Sequence, residues 1–321
     1  PAAEAQYAAA YARIGFGARG LALGNGLVAD VFSAGTSPYY NPALAPRLDG
    51  QYLDVAAAFL SHDRSLQQAQ FAFPLPPRAG ASFGIVRAGV DDIDGRDSSG
   101  RQTGALSTEE YVVFTAFGVR LSQRVSAGLG LRFYHADLFQ DVDPVVSIAL
   151  SFGLAAQVSD RLAFGLAVDD LLGRYTWDTS DAFGDDGGQT TDRLPIRVRF
   201  GGAYELFDGR GLIAAEVEQR VARVERRTGR VTTVGGVPQV VTETEDLRLA
   251  ETLFHLGAEV WLAQPFGVRI GVDRLGEEAA PAAGFAVRRQ LGDLGGRIDY
   301  TARLEPYGAG VAHFVGIHLD L

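Results

Sequence analysis

Leu194, Ile196, Val198, Phe200, Gly202, Tyr204 and Leu206 alternate with Pro195, Arg197, Arg199, Gly201, Ala203, Glu205 and Phe207. A period of two marks an extended strand with two distinct faces. A strand buried in a soluble core has no place for Arg197 and Arg199 on its second face. One face of this strand meets oil, and the other meets water or polar protein.

The same pattern begins at Gln51, where Leu53, Val55, Ala57 and Phe59 alternate with Tyr52, Asp54, Ala56 and Ala58. It recurs at 51–60, 65–75, 79–90, 109–122, 124–139, 145–158, 161–171, 193–207, 210–223, 251–263, 265–274, 282–291, 294–304 and 310–321. These are about fourteen strands, an even number of the length a tilted membrane strand needs. With the first strand leaving the periplasm, the periplasmic turns are tight: Leu75-Pro76-Pro77-Arg78, Ser122-Gln123-Arg124, Ser159-Asp160, Asp208-Gly209, Gln264-Pro265 and Gly292-Asp293. The opposite set contains the long polar segments 91–108, 173–192 and 224–250, the last expected to be a hairpin turning near Gly235-Gly236. Short turns on one side and long loops on the other predict an all-β, transmembrane antiparallel barrel.

Composition agrees. Among 321 residues 47% are hydrophobic, yet the mean hydropathy is only +0.04 and no run approaches a membrane helix. The net charge is −10 with arginine as the only strong base, which argues against nucleic acid as a partner. Cysteine is absent, excluding disulfides, thiolate metal sites and a lipid-bearing cysteine. Methionine is absent too, and a secretory signal cleaved before Pro1 is the expected explanation. The outward set of the last strand ends at Leu321, an apolar residue where barrel-insertion signals usually carry an aromatic.

The stretch from Ile14 to Ala45 is too irregular for a long helix and too apolar for a solvated tail. It reads as a hatch, or plug, inside the barrel, giving two regions: a hatch over 1–48 and a barrel over 49–321. Upstream, Tyr7 and Tyr11 at i,i+4 suit a short helix. Asn41-Pro42-Ala43 is a helix-start signal, with asparagine as N-cap and proline at the first position.

Several motifs resemble chemistry that their context denies. Gly15-Phe16-Gly17-Ala18-Arg19-Gly20 fits the dinucleotide fingerprint, but Gly24 and Gly26 interrupt the helix it needs and no βαβ unit follows. Gly80-Ala81-Ser82-Phe83-Gly84 fits a nucleophile elbow, yet the chain continues as strand into Ile85-Val86-Arg87. No catalytic residue, cofactor or metal is expected. His313 and His318 differ in parity and so face opposite sides of the last strand. The acidic loops 91–103 and 178–188 could attract calcium, but neither has the order of a known calcium loop, and solvated loops are the favoured reading.

If the apolar face points to lipid, Arg120, Arg132, Arg197, Arg199, Glu205, Glu216, Glu218, Glu259, Arg269, Asp273, Arg288, Arg297, Asp299 and Arg303 all point inward. Mixed charges in a confined lumen should pair with each other and with the backbone of the plug, since an isolated buried charge is costly. That favours a salt-bridged interior holding the plug over a selectivity filter.

The plug then carries a resemblance. Gly17-Ala18-Arg19-Gly20-Leu21-Ala22-Leu23-Gly24-Asn25-Gly26, then Val28-Ala29, then Tyr40-Asn41-Pro42-Ala43-Leu44-Ala45 resemble the N-terminal signature of the PorV/PorQ branch of FadL-like outer-membrane proteins. The family form is G-A-R-A-L-G-M-G-G-A, V-A and W-N-P-A-x-L-A; here Gly20, Leu23, Asn25 and Tyr40 depart from it. Leu194-Pro195, Arg197 and Gly201-Gly202-Ala203-Tyr204 look like the family's central strand. The resemblance implies a fourteen-stranded barrel with an N-terminal hatch whose motif residues are Gly17, Arg19, Gly24, Gly26, Asn41, Pro42 and Ala43. It implies the outer membrane of a Gram-negative, Bacteroidota-like bacterium, and lipid as a partner. For the PorV-like branch it implies a non-enzymatic component of type IX secretion that binds secretion-complex proteins and secreted cargo at its extracellular rim. For FadL-like channels it implies passive uptake of long-chain fatty acids or other hydrophobic compounds through a lateral opening. An apolar ligand needs an apolar tunnel, so the charged lumen favours the first role.

Overall fold

The computed structural model describes residues 8–33, 38–139, 142–234, 237–263, 265–276, 279–291 and 294–321. From Tyr52 onward the chain is almost entirely strand: β1 (Tyr52–Phe59), β2 (Arg64–Leu75), β3 (Ala79–Arg96), β4 (Gln102–Arg120), β5 (Val125–Asp137), β6 (Val145–Gln157), β7 (Leu162–Leu171) and β8 (Arg174–Asp178). There follow β9 (Gln189–Arg193), β10 (Ile196–Leu206), β11 (Gly211–Val234), β12 (Val237–Ala263), β13 (Phe266–Asp273), β14 (Ala280–Leu291), β15 (Leu294–Glu305) and β16 (Gly310–Asp320). β8 and β9 pair with each other, and the other fourteen strands form one closed barrel. Closure is antiparallel, with β1 meeting β16 from Tyr52↔Asp320 to Phe59↔His313, so the first and last strands leave no open edge in the barrel.

The expected strands are all present, and the differences lie in the long segments. β3 and β4 continue past the expected loop and pair Ile93 with Leu106 beyond a bulge. What remains there is a turn in which Asp97 Oδ1 accepts from Ser99 N (2.9 Å) and Arg101 N (3.0 Å). Polar residues on both faces hid this extension, because above the lipid neither face of a strand needs to be apolar. The polar stretch 173–192 likewise holds the β8–β9 hairpin. β11 and β12 pair without interruption out to Val234↔Val237, a two-stranded ribbon rising beyond the end of β10 at Val221. The expected turn at Gly235-Gly236 lies outside the described residues, as do Tyr7, Gln264, Gly292 and Asp293.

Alternation sorts the side chains as expected. Phe117, Leu129, Ile148, Phe152, Leu154, Ile270 and Ile317 point outward and are exposed. An apolar belt this continuous exceeds what a water-soluble surface carries and is the surface of a barrel solvated by lipid. Val112, Phe114 and Ala116 point inward and are buried. Ser82 also points inward, on an uninterrupted strand. His313 faces outward beside Tyr300 (2.7 Å), whereas His318 faces inward between Asp54 (2.6 Å) and Asp320 (3.1 Å).

Candidate functional site

The lumen is occupied by the N-terminal residues. A 3-10 turn (Ala10–Arg13), the short helix α1 (Gly17–Ala22) and a 3-10 helix (Pro42–Arg47) lie against the inner wall. Their path is set by wall positions that lack a side chain. A Cβ on Gly80 would enter the Ala45 carbonyl, one on Gly128 the Pro42 carbonyl, one on Gly165 the Val28 carbonyl, and one on Gly257 the Leu23 carbonyl. Wall side chains then bond the segment's backbone. Gln68 accepts from Gly17 N (2.7 Å) and donates to Gly15 O (2.6 Å), Ser126 donates to Ala43 O (2.7 Å), and Thr301 donates to Ala18 O (2.7 Å). These contacts give partners to backbone groups that are otherwise buried away from bulk water.

The motif residues have separable roles. Asn41 caps the 3-10 helix by accepting from Ala43 N (3.0 Å) and donates to Val28 O (2.7 Å) and Leu154 O (3.0 Å) of β6. Pro42 starts that helix as the sequence signal requires. Gly24 combines φ +61° with close approach to the Val272 and Leu256 carbonyls, and Gly17 has φ +70° with open space around it. Gly26 meets His255 only at ordinary contact, 3.6 Å. Arg19 bonds Asp30 (2.8 Å), Ser33 (2.7 Å) and Glu259 of β12 (3.1 Å).

Gly20, Asn25 and Tyr40 meet in space. The Tyr40 hydroxyl occupies the volume a Gly20 side chain would fill. It accepts from Phe16 N (2.9 Å) and lies 2.9 Å from both Phe16 O and Asn25 Oδ1. Asn25, at φ 63°, fills the space left by Gly15. The glycines of the nucleotide-like motif therefore accommodate Asn25, a left-handed backbone and Tyr40.

Wall charges form two groups. In the first, Arg132 of β5 and Arg197 of β10 bind Asp170 of β7 (3.0 Å each), and Arg199 binds Asp169 (2.7 Å) and Glu216 of β11 (3.5 Å). Arg132 also donates to Tyr39 O (3.2 Å), Arg199 donates to Tyr40 O, and Glu216 accepts from Val28 N (3.0 Å). The group continues through Glu218 with Arg220 (2.7 Å) and through Asp273 with His255 (2.8 Å) and Arg303 (2.6 Å). In the second, Arg269 of β13 bridges Glu259 and Asp299 (2.6 Å to the latter), and Arg297 holds Asp299 (2.8 Å). Arg120 stands apart and donates to Pro46 O (2.6 Å). Glu205 sits half-buried near the Asp208-Gly209 turn, outside both groups.

Asp170 escaped the alternation rule, whereas Asp169 follows it on the inward face with Ala163, Gly165 and Ala167. β6 pairs Leu150 with Leu171 but Phe152 with Val168, so β7 carries a bulge; with Asp170 at φ 62°, consecutive carboxylates both face inward. An acidic pair ending an apolar strand was the available signal.

Two cavities between the segment and the wall measure about 20 and 30 Å³, room for a water or two each. Larger spaces open elsewhere. An outward groove of about 420 Å³ runs across β4–β7 between Phe117, Leu129, Phe152 and Leu154. Its floor is Gly118, Gly128 and Gly153, whose inner sides touch Asn41 and Pro42, so one layer of backbone separates lipid from the N-terminal segment. At the short-turn mouth, on the β11–β16 side, a vestibule of about 650 Å³ is lined by Trp261, Arg288 and Arg297.

These features define a hydrophobic-surfaced barrel whose lumen holds its own N-terminal residues. In fold the chain is similar to the Ralstonia pickettii toluene transporter TbuX, at 14% identity over 95% of this chain and 97% of that one, with a TM-score of 0.62. It is also similar to the Pseudomonas putida toluene transporter TodX (13% identity, 95% and 96% covered, TM-score 0.60). A Pseudomonas aeruginosa FadL homologue matches at 10% identity with 95% and 96% covered and a TM-score of 0.58. No protein-family model matches the chain, and no curated protein matches it by sequence.

Proposed function

We propose that this chain is an outer-membrane channel that passes hydrophobic small molecules, with residues 1–48 acting as its hatch. The observation that carries the reading is the outward groove over Gly118, Gly128 and Gly153. Apolar solutes concentrate in lipid, and here lipid and hatch lie on two sides of a side-chain-free wall. The likeness to two toluene transporters over 95% of the chain supports the same reading.

The charged lumen does not speak against it. Most of the wall charges pair with one another or clamp the hatch backbone, so they mark how the hatch is held and not the surface a solute would meet. Entry from the side avoids them. Of the two roles the motif resemblance implies, uptake therefore has more support than cargo binding in secretion.

Ala127 is a small outward residue in the groove, opposite Val119 and Leu154. Ala127→Trp fills the groove without touching the interior. In a Gram-negative host lacking channels of its own, the chain should accelerate uptake of radiolabelled toluene several-fold, and Ala127→Trp should return it toward background. Absence of uptake by the unaltered chain in correctly folded barrels overturns the proposal.

A further inference from the structure

The outward face of β11 and β12 changes character along its length. Toward the short turns it is apolar, with Ile213, Leu256 and Phe254 exposed. Higher up, Gln219 and Thr252 stand opposite one another and bond at 2.8 Å. Beyond Val221 and Ala250 come two arginines, Arg223 and Arg248, directly opposed and both exposed. Ten residues lead from Ile213 to Arg223, about 25 Å of height at the rise and tilt of a barrel strand, which matches the apolar band itself. Arg223 and Arg248 therefore stand at the level of lipid headgroups on the long-loop side, and alternation turns them outward.

Like charges directly opposed across a ladder are destabilising, and other arginines above the band are placed differently. Arg64, Arg87, Arg96 and Arg101 each hold a carboxylate: Glu305, Glu109 (2.7 Å), Asp94 (2.5 Å) and Asp97 (3.2 Å). Among the described residues Arg223 and Arg248 hold none. The adjoining hairpin repeats the arrangement. Exposed Arg174 and Arg193 pair directly across β8 and β9, again with no carboxylate among the described residues, and β9 packs beside β11. In a chain of net charge −10, two opposed arginine pairs on neighbouring hairpins make a local excess of positive charge. Two forked guanidinium groups side by side suit a phosphate, whose several oxygens accept from both. The exposed Phe254 and Leu256 below them suit the apolar tails of the molecule that carries it.

We propose that Arg223 and Arg248 bind the phosphate of a lipid in the leaflet on the long-loop side, with its tails on the apolar face of β11 and β12 below. The proposal goes beyond the channel reading, because the pair stands outside the lumen. Delipidated, folded barrel in neutral detergent is incubated with diphosphoryl lipid A, and bound lipid is read by native mass spectrometry. The Arg223→Gln, Arg248→Gln double variant should bind at least about tenfold more weakly, as loss of charged hydrogen-bond partners does. A control Arg96→Gln, Arg101→Gln variant should bind like the unaltered chain. Lipid A freed of its phosphates should bind the unaltered chain as weakly as the phosphorylated lipid binds the double variant. Heat-modifiable migration on gels shows that each variant is folded. Undiminished binding by the double variant, equal binding of the dephosphorylated lipid, or displacement of the lipid by inorganic phosphate or an acidic peptide at equal concentration would each overturn the proposal. Toluene uptake reads passage and not this face, so either proposal can fail without the other.

Discussion

The Tyr40 hydroxyl ties itself to Asn25 and Phe16, fifteen and twenty-four residues away in the chain. Gly20 supplies the space, Asn25 one hydrogen-bond partner and Phe16 the others. Gly20, Asn25 and Tyr40 form one unit: a larger residue at 20 and a hydroxyl at 40 exclude each other. Tyr40→Phe leaves the buried Phe16 N–H without its partner, at a cost of about 1–3 kcal/mol. Proteolysis within the N-terminal segment of the folded barrel should then accelerate, roughly ten- to a hundredfold. Gly20→Ala should be costly alone and much less so in the Tyr40→Phe background, since the collision is with the hydroxyl. Strict additivity of the two substitutions would count against the unit.

At the scale of elements, the strand β7 departs from regularity where it matters most. Its bulge turns Asp169 and Asp170 inward together, and Arg132, Arg197 and Arg199 converge on the pair from β5 and β10. Asp170→Asn keeps the shape but takes from Arg132 and Arg197 their carboxylate at 3.0 Å, leaving Asp169 and Glu216 for three guanidinium groups. Removing one partner of a buried ion pair costs about 3–5 kcal/mol, and the urea midpoint for barrels folded in vesicles should fall accordingly. A change below about 0.5 kcal/mol would mean that the cations are balanced elsewhere. The same bulge explains where sequence reading ended. Strands such as β10 were legible because lipid demands an apolar residue at every second position. The inward arginines followed from the same parity. Asp170 did not, because a bulge after Val168 breaks the two-residue count on which the face of every residue depends. Arg223 closed an expected strand and Arg248 lay in the expected loop 224–250, so their opposition appears only once β11 and β12 are paired.

For the whole molecule, the question is what the N-terminal segment closes. The wall charges are mostly balanced among β5, β7, β10, β11, β12, β13 and β15, and the segment contributes Arg13, Arg19 and Asp30 to that interior. A barrel without residues 1–48 should therefore keep its strand pairing, which closes without the segment. Its lumen would then be lined by wall glycines and paired charges and would fill with water, as in wide barrels of polar interior. Among the described residues, the two spaces between the segment and the wall measure about 20 and 30 Å³, each too small for a hydrated ion. In planar bilayers the intact chain should be electrically silent and the truncated one should give large ohmic steps that scale with salt. The decisive control is folding: heat-modifiable migration on gels shows whether the truncated barrel has formed. A folded but silent truncation would mean that the wall side chains close the pore themselves, and would remove the segment's claim to be the seal.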